Sequence, residues 1–387
     1  MKTAGIICEY NPLHNGHAYL FSQARAASAD LLLCVMSGDF TQRGEAALFP
    51  PVTRAAMAVE AGADLVVELP FPYAAASARY FAVAGVCVLD ALGADTLVFG
   101  SERGELSTLE ALAKKAAALE ETGADAPAKA TAAAHFDALG AAPASNDILA
   151  VEYLRAIRKS GAELTPFPVK RVGMGYRDAA GAGLASATAL RDMLRRGENV
   201  EAHLPPAVIE RFRAAVGQGL FDTAALGPAM LAFLRTAGGK VTENGGDCPF
   251  AECGGGLFRH LCRAAGKATD YASLCAAAAT KHYTDGRIRR ALLFALAGVT
   301  PEDLKTPPAF VRLLAADEKG MGFLAATRKT RALPVVTKQA DAAALGEAAE
   351  RQRELSRRAD GLYALCRTAP LLPADLQTQR PFLLKKH

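Results

Sequence analysis

The feature that most constrains this chain is the alternation of short apolar runs and helical patterns along its first hundred residues. Four runs rich in apolar and branched residues predict buried strands, at 3–10, 30–37, 63–70 and 95–100. Helical patterns lie between them, at 16–29, 53–62 and 74–93. Such an alternation predicts a parallel sheet covered on both faces, with right-handed crossovers. The predicted fold class is therefore α/β, with a Rossmann-like doubly wound sheet.

The rest of the chain is predicted to be mostly helical. Residues 105–142 and 184–196 have helical patterns, residues 146–157 form an amphipathic helix, and residues 165–173 form a last strand or extended segment. After Pro205 and Pro206, helix-like patterns cover 207–235, 257–279, 285–297, 308–316 and 340–366, whereas the glycine-rich pieces 238–246 and 253–256 suggest loops. We therefore predict a nucleotide-binding domain over 1–200 and a mostly α-helical domain over 201–387.

Composition narrows the class of protein. The 387 residues are 51% hydrophobic, which is typical of a globular chain and enough for two domains. No apolar run approaches the roughly 20 residues that span a bilayer, and the N-terminus lacks the apolar core and cleavage site of a signal peptide. We therefore predict a cytoplasmic protein that does not enter membranes. The eight scattered cysteines indicate free thiols more than a disulfide framework.

Charge is unevenly divided along the chain. Residues 1–190 carry 15 Lys and Arg against 20 Asp and Glu, a net charge of −5. Residues 191–387 carry 29 against 20, a net charge of +9. The basic half suits a polyanion such as RNA, although an ordinary solvated surface explains so mild an excess equally well.

The segment HNGH follows the first strand and opens the first helix. In an open α/β sheet, ligands bind at the carboxyl ends of strands, and helix N-termini attract phosphate. His14 and His17 offer ring N–H groups to phosphate oxygens, and Gly16 permits close approach of a nucleotide. Two histidines that merely satisfy a helix start are the alternative. A zinc pair is less favoured, because no carboxylate stands at the spacing of H-E-x-x-H.

Polar segments follow the other strands and are predicted to reach the same edge of the sheet. After the second strand, Asp39, Gln42 and Arg43 suit contact with substrate or phosphate, or form an ordinary loop. After the fourth strand, Gly100 suits a close nucleotide approach. Ser101 and Glu102, which follow it, either bind a base or ribose or cap the next helix.

A second anion site is predicted near residue 186. Asn146 is either a helix N-cap or an amide that reads a base, and Arg171 suits bidentate contact with phosphate. The segment ASATALR opens a helix with Ser186 and Thr188 and carries Arg191 one turn later. A helix N-terminus with a matching arginine is a second place to hold phosphate.

Two clusters in the basic half have competing interpretations. Residues 280–298 gather basic side chains around an aromatic ring, which suits RNA, or else place charges on the outer face of a core helix. This cluster is Lys281, Tyr283, Arg287, Arg289 and Arg290. The set Cys248, Cys253, His260 and Cys262 is weakly compatible with zinc, but its spacing lacks a C-x₂-C pair.

Taken together, these segments resemble a known family. HNGH followed by ASATALR is similar to the HxGH nucleotidylyltransferase superfamily. The series EYNPLHNGH, MSGDFTQRGE, AGADLVVELPFPY, FGSE, NDILAVEYL, GYRD and ASATALR resembles the bacterial tRNA(Met) cytidine acetate ligases, and YTDGRIRRALLFALAG extends the resemblance more weakly. This resemblance implies that ATP activates acetate as acetyl-adenylate. The acetyl group then moves to the wobble cytidine of elongator tRNA(Met), forming N4-acetylcytidine.

The resemblance also implies roles for individual residues. It makes His14, His17 and Arg191 catalytic, ATP the cofactor, and acetate and tRNA the partners, with no residue assigned to a protein metal site. The need to stabilise charge on the leaving pyrophosphate makes Mg²⁺ an expected second cofactor. The ATP-binding residues it implies are Ile7, Glu9, Asn11, Pro12, His14, Asn15, Gly16, His17, Leu20, Gly100, Ser101, Glu102, Asn146, Arg171, Ser186, Ala187 and Thr188. The basic cluster of residues 281–290 becomes the RNA-binding element.

The chain departs from the family pattern at three places. Leu20 stands where a histidine is usual, Asp39 where an asparagine is usual, and FPPVT (49–53) where a basic residue is expected before the Arg54 helix. Two other functions stay open: a different nucleotidylyltransferase that acts on a small phosphorylated substrate, and a non-catalytic RNA-binding relative. The pattern leaves the oligomeric state undetermined.

Overall fold

The computed structural model describes residues 1–121, 145–171, 185–243, 248–367 and 369–385. Within these ranges, the strands all belong to one mixed sheet. They are β1 Thr3–Cys8, β2 Leu31–Ser37, β3 Leu65–Leu69, β4 Thr96–Ser101, β5 Thr165–Lys170, β6 Val311–Asp317, β7 Val335–Val336 and β8 Phe382–Leu384.

Helices of varied length pack around this sheet. In the first half they are α1 Asn15–Ala26, α2 Pro51–Glu60, α3 Ala78–Ala91, α4 Leu106–Glu121, α5 Ser145–Ser160 and α6 Ala187–Arg195. In the second half they are α7 Ile209–Gln218, α8 Gly227–Glu243, α9 Leu257–Ala265, α10 Tyr271–Ala278, α11 Asp285–Ala297, α12 Pro301–Lys305, α13 Glu318–Ala326, α14 Glu347–Ala364 and α15 Pro373–Gln377. Short 3-10 helices span Tyr73–Ala75, Glu201–His203, Pro206–Val208, Thr223–Leu226 and Gln339–Leu345. No helix in the described ranges has the length and apolar character that a bilayer span needs.

The strand order creates a topological switch. The order is β5-β4-β1-β2-β3-β6-β7, and the five strands from β5 to β3 run parallel. From β1 the chain moves outward to β2 and β3, then returns to the other side for β4 and β5. The connections leaving β1 and β4 therefore diverge, which opens a crevice at their carboxyl ends where ligands bind in doubly wound folds.

The sheet is covered on both faces. Successive residues of β2 face opposite sides: Leu31, Leu33 and Val35 enter one hydrophobic cluster, and Leu32 and Cys34 enter the other. Every residue of β2 and β3 is buried. Burial on both faces explains why these strands read as continuous apolar runs in the sequence. The predicted α/β fold with a doubly wound parallel sheet and a mostly helical second half is confirmed, and the strands lie within a few residues of their predicted positions.

One predicted helix is a strand. Residues 308–316 were expected to be helical, but β6 at Val311–Asp317 pairs antiparallel with β3, and β7 and β8 pair with its other edge. All residues of β6 are buried, so its sequence VRLLAAD lacks the alternation that marks a half-exposed strand. The sheet therefore continues into the second half of the chain, while the division at residue 200 stays a prediction.

Of the two glycine-rich segments predicted to be loops, the first begins as helix and the second is a loop. The predicted loop at 238–246 is wrong in its first part, because α8 continues to Glu243. The helix therefore includes Gly238 and Gly239, although glycine has a low helix propensity. The predicted loop at 253–256 is present, and it ends at Gly256, which has a φ of 80° and precedes α9. The motif GYRD lies outside the described residues.

Candidate functional site

A cleft of about 300 Å³ lies at the switch point between β1 and β4. Its walls come from the ends of β1, β4 and β5 and from the first turns of α1, α5 and α6. The described residues lining it include Ile7, Glu9, Asn11, His14, Gly16, His17, Leu20, Gln42, Arg43, Gly100, Asn146, Arg171, Ser186, Ala187, Thr188 and Arg191. Most of the predicted site residues thus share one cavity of the size that small-molecule sites have.

The two histidines form a reciprocal cap at the start of α1. His14 is the N-cap, and its Nδ1 accepts a bond from the Gly16 N–H at 3.0 Å. The Nδ1 of His17 accepts a bond from the His14 N–H at 3.2 Å. The rings stack with centroids 3.8 Å apart, and Tyr10 packs edge-on against His17 at 4.9 Å. This geometry fixes both ring orientations.

The cap also fixes the protonation of the histidines. Burial, with Arg171 and His203 adding to it, lowers the pKa of His14 to about 4. Burial and the neighbouring His14 lower the pKa of His17 well below 6.5. Because each Nδ1 accepts a hydrogen bond, the neutral rings carry their proton on Nε2. Neither Nε2 has a hydrogen-bond partner among the described residues, so two uncharged donors are available to a ligand.

Gly16 is required by its contact with His14. A Cβ at this position would lie 2.8 Å from the His14 Cε1 and 3.0 Å from its Nδ1. Any larger residue would displace the ring that caps the helix. The glycine therefore serves the orientation of His14, in addition to any close approach of a ligand.

The second motif also opens a helix at the cleft. Ser186 is the N-cap of α6, and its Oγ accepts a bond from the Ala189 N–H at 3.2 Å. Ala187 and Thr188 form the first turn and line the cavity. The first turns of α1 and α6 thus face one space, and both present the positive end of a helix dipole.

The guanidinium of Arg191 forms two hydrogen bonds within the protein, and one of its donor nitrogens has no partner among the described atoms. Its Nη1 donates to the Asn11 carbonyl oxygen at 3.0 Å, and its Nη2 donates to the Thr188 Oγ1 at 3.2 Å. Burial lowers its pKa, and Glu45 and Glu9 oppose that shift. Its Nε is buried and has no partner among the described atoms. A buried donor without a partner is costly. The Arg191 side chain also lines the cleft, where its positive charge suits an anion.

Three of the residues predicted to bind ATP, near the start of α1, either contact other parts of the protein or lie outside the described lining of the cleft. Asn11 lines the cavity but also uses its Oδ1 to accept a bond from the Leu48 N–H at 2.8 Å. Asn15 donates to the Ala202 carbonyl at 3.3 Å. Neither Asn15 nor the buried Pro12 is among the described lining residues.

Ser101 and Glu102 belong to a network around the start of α5. The buried Ser101 hydroxyl donates to Asp147 at 2.6 Å, and Glu102 accepts from the Asp147 N–H at 3.1 Å. Glu102 also accepts from the side-chain amide of Asn146 at 2.5 Å and lies 3.6 Å from Arg171. Glu102 thus bonds to the first turn of α5 and not to the next helix, α4, and its contact with a base or ribose stays a prediction. Asn146 lies inside the first turn of α5 and lines the cavity.

Asp39 lies away from the cleft, so the sequence-based placement near phosphate is wrong. Its carboxyl is buried in a cluster that holds Glu68, Arg312 and Asp360. Burial, Asp360 and Glu68 raise the pKa of Asp39 well above its usual value, while Arg312 opposes them. The carboxyl of Asp39 therefore keeps its proton to a higher pH than an ordinary aspartate does. Gln42 and Arg43, in contrast, line the cavity as expected.

Sequence reasoning missed two groups of residues. Phe81, Phe99 and Tyr153 form an apolar wall of the cleft, although they looked like ordinary core positions in helices and a strand. Arg54 is fully buried, and it donates to the carbonyls of Phe49 (2.9 Å) and Ser37 (3.0 Å). In the sequence, the signal for these two hydrogen bonds was the one arginine of the mostly apolar segment 51–60. Residues 49–53 supply no basic group there, and Pro51 starts α2 instead.

Most side chains of the predicted RNA-binding cluster already contact other residues of the protein. Tyr283 donates to the Gly255 carbonyl at 2.6 Å, and Arg287 donates to the Gly254 carbonyl at 3.1 Å. Arg290 pairs with Glu252 at 3.1 Å, and Arg289 pairs with Glu45. These contacts hold α11 to the rest of the protein, and Lys281 is exposed beside them. Contact with RNA remains a prediction for this cluster.

The weakly favoured zinc cluster has no counterpart in the described part of the chain. There, no group of three or more His, Cys, Asp or Glu is arranged to hold a metal ion. His260 instead contacts the Ala278 carbonyl oxygen through its Nε2, at 3.0 Å. Cys253 is buried and donates to the Ala291 carbonyl at 3.5 Å. These residues serve the packing of α9, α10 and α11.

Comparison with known proteins gives consistent matches. The family described as HIGH Nucleotidyl Transferase matches residues 1–377. The tRNA(Met) cytidine acetate ligase of Syntrophotalea carbinolica is 38% identical and covers 87% of this chain and 85% of its own length. That of Acetivibrio thermocellus is 33% identical and covers 96% of both. Thermotoga maritima TmcAL, in crystal structures with alpha-thio ATP and without ligand, has TM-scores of 0.85 and 0.86 at 29% identity over the whole of both chains.

Proposed function

This chain belongs to the HIGH Nucleotidyl Transferase family and, within it, to the tRNA(Met) cytidine acetate ligases, and we propose that it is an ATP-dependent ligase that acetylates the wobble cytidine of elongator tRNA(Met). The observation that carries the proposal is the convergence of uncharged and charged donors in one cleft. The neutral imidazoles of His14 and His17 and the guanidinium-bearing side chain of Arg191 line one cleft between two helix N-termini. That donor set suits a polyphosphate.

In the first proposed step, an acetate oxygen attacks the α-phosphorus of ATP. The new P–O bond forms as the bond to the β-phosphate oxygen breaks, and pyrophosphate leaves with the electron pair. Acetate is ionised at pH 7, so the step needs no general base. The protein has to hold the reactants in line and stabilise charge on the leaving group. We assign that stabilisation to His14, His17 and Arg191.

In the second proposed step, the exocyclic amine of cytidine attacks the acetyl carbonyl. The C–O bond to AMP breaks, AMP leaves, and the nitrogen loses a proton to give N4-acetylcytidine. The amine must reach the adenylate, so the base has to leave its stack in the anticodon loop. We assign tRNA contact to the basic second half, with the cluster of residues 281–290 as its centre, and we place the reaction in the cytoplasm.

We propose that Mg²⁺ enters with ATP. Of the described residues that line the cleft, Glu9 alone carries a carboxylate. Its Oε1 accepts a bond from the Gln42 N–H at 2.8 Å, and burial raises its pKa. A single carboxylate beside phosphate oxygens is the donor set that Mg²⁺ uses in nucleotide sites, where it neutralises phosphate charge.

Incubation with ATP, labelled acetate and bulk tRNA tests the proposal. Label in cytidine is the expected result. Pyrophosphate release that requires a different small co-substrate would instead favour another nucleotidylyltransferase. Binding of tRNA without either reaction would leave a non-catalytic RNA-binding protein.

A matched pair of variants ties the activity to the cleft. Arg191→Lys keeps one positive charge but loses the fixed fork of donors, so labelling should fall by at least about 100-fold. Arg213→Lys, in an exposed ion pair with Glu201, should label tRNA normally. Equal activity of the two variants would place the chemistry elsewhere.

A further inference from the structure

One carboxylate lies between the cleft and the basic helix α11. The Oε2 of Glu45 is 3.7 Å from the Arg191 Nη2, and its Oε1 pairs with the Nη1 of Arg289. The three side chains are 22%, 10% and 28% exposed, respectively, so the chain of ion pairs is largely shielded from solvent. It connects the arginine of the second anion motif with an arginine of the proposed RNA-binding cluster.

The backbone on both sides of Glu45 is fixed. A Cβ on Gly44 would lie 2.7 Å from the backbone nitrogen of Arg290, so this loop touches the backbone of α11 directly. The Ala46 N–H donates to the Thr223 Oγ1 at 2.7 Å, and the Tyr363 hydroxyl donates to the Ala47 carbonyl at 2.8 Å. With its backbone held, Glu45 can shift mainly by rotation of its side chain between the two guanidinium groups.

In this arrangement, how far Glu45 offsets the charge of Arg191 depends on how closely Glu45 pairs with Arg289. One negative charge is shared by two positive groups, and ion pairs shielded from solvent are screened less than exposed ones. While Arg289 engages Glu45, much of the Arg191 charge is available to an anion in the cleft. If an RNA phosphate engages Arg289 instead, Glu45 pairs more fully with Arg191 and offsets its charge.

We propose that Glu45 is a positioning residue through which a polyanion bound at α11 weakens the hold of Arg191 on phosphates in the cleft. The inference rests on the proposed function for its two ligands, a nucleotide and an RNA. Arrival of tRNA then favours departure of pyrophosphate once the adenylate has formed. Because coupling between binding sites is reciprocal, bound nucleotide also weakens tRNA binding by the same factor.

Calorimetry on the full chain tests this coupling. The probes are α,β-methylene ATP with Mg²⁺ and unmodified elongator tRNA(Met). We expect saturating tRNA to raise the Kd of the ATP analogue about 5- to 10-fold in the wild-type protein. In Glu45→Gln, we expect the analogue to bind more tightly than in the wild type without tRNA, and the tRNA effect to disappear. A merely structural role for Glu45 predicts the opposite, weaker binding in both states.

Glu252→Gln is the matched control. Glu252 pairs with Arg290, the next residue of the same helix, and among the described residues no ion pair joins Glu252 or Arg290 to Arg191. The control should retain the full tRNA effect. Coupling that persists in Glu45→Gln, or that is equally lost in Glu252→Gln, would overturn the inference. Tight but independent binding of both probes to the wild type would also overturn it and leave the proposed function standing, whereas binding of neither probe would overturn both.

Discussion

His14 and His17 together cap the N-terminus of α1: the His14 ring accepts the Gly16 N–H, and the His17 ring accepts the His14 N–H. Movement of either ring would therefore break one of these two hydrogen bonds. The rings are stacked at 3.8 Å, and each Nδ1 accepts one of these N–H groups. A charged ring would lose its acceptor and repel its neighbour. The pair therefore works as two neutral donors, a property that can be tested from several directions.

Replacement of His17 should separate chemistry from RNA binding. His17→Ala removes one donor to the phosphates, and loss of one such donor lowers reaction rates about 10²- to 10³-fold. His17→Gln should lose activity to a similar degree while keeping an acceptor for the cap of α1. Acetyl-adenylate formation and tRNA binding are measured side by side, and binding should be unchanged in both variants. Intact adenylation in His17→Ala would show that the active site lies elsewhere.

The low pKa of His14 predicts a pH-dependent stability. Its pKa is about 4 in the folded protein, against 6.5 ordinarily. Between these values the unfolded chain binds more protons, so the free energy of unfolding rises with pH across this window and is lost as the pH falls through it. The loss attributable to His14 is about 3 kcal/mol. Urea denaturation from about pH 7 to about pH 4 measures it.

Two variants assign that pH dependence. His14→Asn keeps a capping oxygen but does not titrate, so its stability should fall less between these pH values. His282→Asn replaces an exposed histidine and should behave like the wild type. An identical pH profile for His14→Asn and the wild type would contradict the assignment.

Gly16→Ala should impair activity without unfolding the protein. The added Cβ forces the His14 ring to move, because it would lie 2.8 Å from the ring's Cε1. Alanine favours a helix over glycine by up to about 1 kcal/mol, which offsets the strain in stability but not the misplacement of the donor. We expect adenylation to fall about 10- to 100-fold. Gly217→Ala, in α7 with open space around it, should keep full activity.

The raised pKa of Asp39 predicts a pH dependence of stability with the opposite sign. Its raised pKa means that the folded protein binds more protons than the unfolded chain at pH values above the ordinary pKa of Asp. The free energy of unfolding therefore falls as pH rises from there towards the folded-state pKa. Asp39→Asn removes this decline, so it should be more stable than the wild type at pH 8. The exposed Asp341→Asn is the control, and denaturation curves at acidic and basic pH provide the measurement.

Local patterns made much of this structure predictable. The buried strands and both helix-opening motifs depend on residues close together in sequence, so apolar runs and motif spacing located them. The partners of Asp39, Ser101 and Arg289 could not be predicted in this way, because Asp360, Asp147 and Glu45 reach them only through the tertiary fold. Strand β6 was missed for a related reason: burial on both faces removes the alternation that identifies a strand.

The antiparallel addition of β6 to β3 affects the order in which the molecule can be completed during synthesis. β3 leaves the ribosome long before β6, and until β6 arrives its outer N–H and C=O groups form an open strand edge. Such an edge pairs readily with other chains. The pairing of β6 closes this edge and completes the sheet on which the nucleotide cleft rests.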